Sequence, residues 1–256
     1  MALLEGIKVL ELSNGFPGVL AGQFLADFGA DVVAVEPPGG SPLRSQPAWP
    51  FWARGKRAVQ LDLGDPADRA VVRRLAGRSD VVIVTFRPGV AERLGLDYDD
   101  LAHDNAGLVY ASVTGFGRHG PLADLQGYEA IVQAKLGVQS VLSDMTDRPG
   151  PSFPSAPYAS YPAAQLAVQG ILAALYERER SGKGQRVETT LVQAITVHDT
   201  LSWFSRVVAG RFPDGFAQRP VAVRGVPSGG LSFRLLIALT ADGRWVQFSQ
   251  TVDRLF

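Results

Sequence analysis

The side chains whose type and spacing suit chemistry fall in a few short stretches. Arg54, Lys56 and Arg57 lie within four residues of one another in the segment 37–57, PPGGSPLRSQPAWPFWARGKR. Such a cluster either meets a phosphate or forms a solvated basic turn before a strand. Thr85, Phe86 and Arg87 end the run DVVIVTF and precede Pro88 and Gly89. A hydroxyl, a guanidinium and the start of the next helix gather donors there, which makes a candidate anion pocket. Arg87 alternatively caps a neighbouring carbonyl. Ser160 stands just ahead of Pro162 and the strongest helical pattern in the chain, where it reads as a plain N-cap or as a hydroxyl placed at a site. Glu36 ends a strand, the position at which dinucleotide folds hold a ribose hydroxyl. The turn glycines Gly15, Gly18 and Gly22 do not make G-x-G-x-x-G, which opposes a nicotinamide dehydrogenase.

Composition narrows the classes. The 256 residues are 46% hydrophobic and 20% charged, enough for a sizeable core. Lys plus Arg and Asp plus Glu number 25 each, so no net field selects nucleic acid or an acidic membrane. The absence of Cys removes disulfides, thiolate metal sites and a cysteine nucleophile. His103, His119 and His198 lack ligand spacing, so no metal site is expected. No apolar run has the length of a membrane span and the start lacks a signal-peptide layout, so the expected setting is the cytoplasm.

The elements that must position these residues follow from periodicity. Strands are predicted at Ile7 to Leu12, Asp31 to Glu36, Ala58 to Leu63, Asp80 to Thr85, Leu108 to Val113 and Gln185 to Thr190. Between them lie helical patterns at Val19 to Phe28, Ala67 to Leu75 behind the Asp65 cap and Pro66, Val90 to Leu94, Leu96 to His103, and Glu129 to Leu136. The segment 37–57 holds three aromatics and four basic residues and is read as a long ordered loop without regular structure, of the kind that serves a site. In the organising helix, Ala163, Leu166, Ala167, Gly170, Ile171, Ala174 and Leu175 recur at the spacing of one buried face, and Gly182 supplies the stop. Leu191 to Val208 is again helical. Alternation of this kind predicts an α/β fold: a Rossmann-like parallel sheet with helices on both faces. Ligands in such sheets lie beyond the carboxyl ends of the strands, where Thr85 to Arg87 and the glycine-spaced loop TGFGRHGPLADLQGYEA both fall. The expected domains are 1–208 for the large unit and 209–230 for a linker with a glycine turn. The stretch 231–256 then begins a small α+β unit, with two strands joined at Asp242 and Gly243. Leu235, Ile237, Trp245 and Phe248 should be incompletely covered, and the sequence reads as the amino-terminal portion of something longer.

Taken in order, LLEGIKVLEL, LADFGADVVAVEPPGG, GKRAVQLDLGDP, SDVVIVTFRPGVAERLGLDYDDL, LVYASVTGFGRHGP, GYEAIVQAKLGV and GILAALYERERSGKGQRVETTLVQA resemble the class III coenzyme A transferases. That family includes formyl-CoA transferase, carnitine CoA-transferase and the α-methylacyl-CoA racemases. The resemblance implies a Rossmann-like domain followed by a small one, and two chains interlocked as rings. It implies acyl-CoA and carboxylic acids as substrates, with no covalently bound cofactor. Carried over by position, the coenzyme A site includes Phe16 and Pro17, then Leu61, Asp62, Leu63 and Gly64 near the adenine. It continues with Thr85, Phe86, Arg87, Arg93, Gln126, Gly127, Tyr128 and Glu129.

Several positions depart from the family pattern. Phe16 replaces an amide at the reacting carbonyl, Pro37 replaces an arginine near the nucleotide, and Tyr128 replaces the racemase histidine. The largest departure is Ser160, which stands where the transferases have the aspartate that attacks the thioester. A carboxylate is ionised at neutral pH and forms an anhydride, whereas a serine hydroxyl needs an adjacent base and gives an ester. No histidine lies near residue 160 in sequence to act as that base. Two classes follow: an enzyme acting on acyl-CoA with altered groups such as Ser160 and Glu129, or a catalytically silent half that supplies binding or dimerisation surface, as homodimer or beside a second family domain.

Overall fold

The computed structural model describes residues 2–13, 15–139, 150, 152–154, 156–198, 207 and 210–212, together with strands at 234–239 and 245–250. The described residues fall into two units, one made of 1–138 and 154–200, the other of 139–153 and 201–256.

The first unit is built on six parallel strands: β1 Lys8–Leu12, β2 Asp31–Glu36, β3 Lys56–Gln60, β4 Val81–Val84, β5 Val109–Thr114 and β6 Arg186–Thr190. Their spatial order is β3-β2-β1-β4-β5-β6, the doubly wound arrangement whose strand order reverses between β1 and β4. β4 is central and wholly apolar, and Val81 to Val84 are each at most 2% exposed. A strand covered on both faces has no need of alternation, and hence reads as a continuous β-branched run.

Helices cover both faces. α1 (Phe16–Asp27) follows β1, α2 (Trp49–Ala53) lies in the loop before β3, and α3 (Pro66–Ala76) follows β3. α4 (Val90–Leu94) and α5 (Tyr98–Asp104) lie between β4 and β5. α6 (Glu129–Lys135) and α7 (Ser160–Ser181) come between β5 and β6, and α8 (Leu191–His198) follows β6. Leu10, Leu12, Val82, Val84, Leu108 and Tyr110 pack with Val72 and Ala76 of α3 and Leu101 of α5. The opposite face carries α1 and α7, which pack against each other. A small residue also seats α7 closely on the sheet: a Cβ on Gly170 would stand 2.5 Å from Val187 Cγ1 of β6. Ala163, Ala164, Ala167 and Ile171 of α7 are fully buried, as the spacing of the apolar face requires.

Three sequence expectations need correction. α1 begins a turn earlier than Val19, because Pro17 fits the first turn, where its missing N–H costs nothing. β3 spans Lys56–Gln60 rather than Ala58 to Leu63, with Lys56 and Arg57 registered against Val32 and Val33. Two charged residues enter this edge strand because each has an acid beside it. Arg57 reaches Asp31 at 2.6 Å, and Lys56 donates to Glu11 Oε2 at 2.8 Å and to the Val19 carbonyl at 2.7 Å. The segment 37–57 is also not without regular structure, since a 3-10 turn at Pro42–Ser45 and α2 lie within it.

In the second unit, β7 (Arg234–Leu239) and β8 (Trp245–Gln250) pair antiparallel, with Leu239 opposite Trp245. Their expected turn at Asp242 and Gly243, the expected linker and the helical pattern beyond His198 lie outside the described residues. So do the side chains of Leu235, Ile237, Trp245 and Phe248. Among the described residues no helix is long and apolar enough to cross a membrane.

Candidate active site

The carboxyl ends of β1, β4 and β5 are joined by contacts that run from one loop to the next. Gly15 donates its N–H to Thr85 Oγ1 at 2.9 Å, which ties the start of α1 to the end of β4. Gly18 deepens that seat: a Cβ there would stand 2.6 Å from Thr85 Cγ2. Phe16 then places its ring 5.6 Å from Tyr161, at an interplanar angle of 85°, and 4.5 Å from Trp52, at 72°. Tyr161 adjoins Ser160, so α1, α2 and α7 meet at these rings.

Ser160 is 4% exposed and opens α7, but it does not cap it; the N-cap position is Ala159 and no side chain of that residue serves. The cap comes from another element. Glu129, the first residue of α6, accepts through Oε1 from Ala159 N at 2.5 Å and through Oε2 from Ser160 N at 3.0 Å. Ser160 Oγ donates to the same Oε2 at 2.5 Å, and Gln133 Nε2 reaches Oε1 at 2.8 Å. A carboxylate is drawn to the free N–H groups of a helix start by hydrogen bonding and by the helix dipole. The acidic neighbour that sequence proximity could not supply to Ser160 is thus Glu129, 31 residues away along the chain. Glu129 is held there by backbone packing, because a Cβ on Gly127 would stand 2.6 Å from Gly115 Cα; only glycine at both positions lets the two loops touch.

A cleft of about 200 Å³ opens beyond β1, β2 and β4, lined by Leu12, Val35, Glu36, Pro37, Pro38, Leu61, Asp62, Leu63 and Phe86. Four of the residues expected around a nucleotide, Leu61, Asp62, Leu63 and Phe86, therefore share one wall. Gly64 does not line it and instead donates to Asp62 Oδ1 at 2.8 Å. Phe86 also borders a second, smaller hollow with Arg87, Glu92, Asp97, Tyr110 and Arg118. Arg87 is exposed, with its guanidinium 3.4 Å from the Asp124 carbonyl, while Arg93 lines neither hollow. In the smaller hollow Arg118 pairs with Glu92 at 2.6 Å and Asp97 at 3.4 Å, and Arg186 pairs with Asp97 at 2.8 Å. Burial pushes the Tyr110 phenol well above its ordinary range, and the Asp97 charge adds to the effect. Pro17 is buried, and Gln126 and Tyr128 are exposed outside both hollows.

The cations of 37–57 are committed elsewhere. Arg54 pairs with Asp27, Lys56 with Glu11 and Arg57 with Asp31, so the phosphate alternative read from their clustering is not what the structure displays. Glu36 is engaged as well. It receives Arg44 Nε at 2.7 Å and Nη2 at 2.9 Å, along with Ser41 N at 2.9 Å. A strand-end acid that anchors its own loop is not free for a ribose, which removes the dehydrogenase alternative on a second ground.

The family model described as CoA-transferase family III matches residues 4–255. The chain belongs to CoA-transferase family III. Within this family it is 38% identical over 202 residues to a succinyl-CoA–D-citramalate CoA-transferase from Chloroflexus aurantiacus, covering 75% of the chain and 50% of that protein. It is also 38% identical to the human alpha-methylacyl-CoA racemase, over 78% of the chain and 51% of the racemase. Among solved structures, a CAIB/BAIF family protein from Brucella suis superposes with a TM-score of 0.73 at 33% identity, over 82% of this chain and 58% of that one. The chain thus spans about half the length of the curated relatives it matches.

Tyr161 and Gln133 escaped the sequence reading of the site, while Trp52 and Gly115 fell within segments assigned to it without being singled out. Gln133 alone left a usable signal, since it follows Glu129 by four residues and so shares its face of the helix.

Proposed function

We propose that this CoA-transferase family III chain binds acyl-CoA along the carboxyl edge of its sheet and serves the transfer of CoA between carboxylic acids. The reading rests chiefly on the cleft in which Leu61, Asp62, Leu63 and Phe86 converge, lined by apolar side chains together with Glu36 and Asp62 and placed beside the strand-order reversal, where a planar base finds cover. The pantetheine arm then leads past Thr85 and Gly15 toward Phe16 and Ser160, while the solvent-facing Arg87 and Arg93 supply positive charge for phosphates. The working unit is an interlocked homodimer or a chain paired with a second family domain, acting in the cytoplasm on acyl-CoA and a carboxylic acid.

A second reading has its own observation. Glu129 already accepts four donors, and the Ser160 hydroxyl is directed at it. A carboxylate so engaged is a poor nucleophile, and a serine in place of aspartate cannot form an anhydride. On this reading the chain binds acyl-CoA and leaves the covalent step to another half. The discriminating assay incubates acyl-CoA donors with carboxylic acid acceptors, follows exchange by mass spectrometry, and adds hydroxylamine to trap intermediates. Exchange that disappears in Ser160→Ala supports an active site with altered groups; no exchange from the chain, with CoA still binding, supports the silent half.

A further inference from the structure

Phe16, Trp52 and Tyr161 come from three different elements, and all three rings are half-buried, so each keeps a solvent-facing surface beside the start of α7. The cations of segment 44–57 are directed away from these rings, Arg54 to the far end of α1 and Arg57 to the amino end of β2. Arg54 reaches both Asp27 carboxylate oxygens and the Phe51 carbonyl. Lys56 is held by Glu11 and the Val19 carbonyl, Arg44 by Glu36, and Arg57 by Asp31. A group entering here meets aromatic surface, and the cations of segment 44–57 have their partners elsewhere, at Glu36, Asp27, Glu11 and Asp31.

We infer that the acyl moiety is apolar or aromatic at its far end, and that Trp52 and its neighbours select it over a dicarboxylic acyl group. The inference rests on the acyl-CoA reading above and names the substrate class for it. Burying an aryl ring against aromatic surface is favourable through area and edge-to-face contact, whereas the distal carboxylate of a succinyl group would lose water without gaining a counter-charge.

The test titrates the chain with CoA, phenylacetyl-CoA and succinyl-CoA in parallel by calorimetry. Phenylacetyl-CoA should bind about tenfold more tightly than CoA, and succinyl-CoA no more tightly than CoA. Trp52→Ala should collapse the phenylacetyl-to-CoA ratio toward one, and Trp52→Phe, which keeps a ring, should restore most of it. CoA binding without any acyl preference, a preference for succinyl-CoA, or an unchanged ratio in a folded Trp52→Ala variant would overturn this inference alone. Failure of CoA to bind in any form would instead refute the acyl-CoA reading, and this inference with it.

Discussion

Glu129→Ala removes the acceptor that holds two elements together, and the structure sets the scale of the loss. Four donors converge on the carboxylate: the N–H groups of Ala159 and Ser160, the Ser160 hydroxyl and the Gln133 amide. Ala159 is fully buried and Ser160 is 4% exposed, so water replaces the carboxylate poorly at those two residues. Hydrogen bonds to a charged group contribute about 1.5 to 3 kcal/mol each, which for two poorly rehydrated backbone donors gives a loss of about 3 to 6 kcal/mol. Glu129→Gln keeps one acceptor oxygen but presents an amide to the helix start, and should lose about half as much. Urea unfolding followed by circular dichroism reads the total, and hydrogen exchange at the amides of Ala159 and Ser160 locates it. A folded Glu129→Ala protein with an unchanged unfolding midpoint and protected amides at 159 and 160 would refute the reasoning.

Two further outcomes follow from packing and charge. Gly127→Ala places a Cβ 2.6 Å from Gly115 Cα, so the loops must part and thermal unfolding should reveal a loss of about 1 to 3 kcal/mol; an unchanged melting temperature would contradict the close contact. Burial pushes the Glu11 carboxyl up to about 7 from 4.5, against the opposing pull of Lys56. The native state therefore keeps a proton that the unfolded chain releases between those values. The associated stability is complete below the unfolded value and is lost as pH rises through the folded one, by about 3 kcal/mol at most. Urea unfolding across that range should show this decline, and Glu11→Gln should flatten it; an identical slope in the variant would place the titration elsewhere.

The sheet was legible because its strands are sharply patterned: β2 and β4 appear in the sequence as DVVAVE and VVIV between turn signals. β3 was misplaced because Lys56 and Arg57 look like loop residues until their partners, Glu11 and Asp31, are brought beside them by the fold. The same kind of distance hid the Ser160 environment. A serine before an early-turn proline suggests a self-capping helix, yet the capping oxygens belong to Glu129, and neither local pattern nor spacing encodes that approach. The aromatics of 37–57 were legible as part of a loop that serves a site, but their meeting with Phe16 and Tyr161 was not, since Trp52 sits in a proline-rich segment whose conformation depends on tertiary anchors such as Arg54 with Asp27.

The most direct test of the account is a calorimetric titration of CoA into the chain and into two variants. Arg87→Ala removes a solvent-facing cation beside Phe86, and Leu63→Glu puts a carboxylate into the cleft wall. Measurable binding is predicted for the parent chain, weakened by about 1.5 to 3 kcal/mol in Arg87→Ala, the range for one charge-assisted hydrogen bond, and further in Leu63→Glu. CoA affinity unchanged in both folded variants would place the nucleotide away from the carboxyl edge of the sheet and contradict the account.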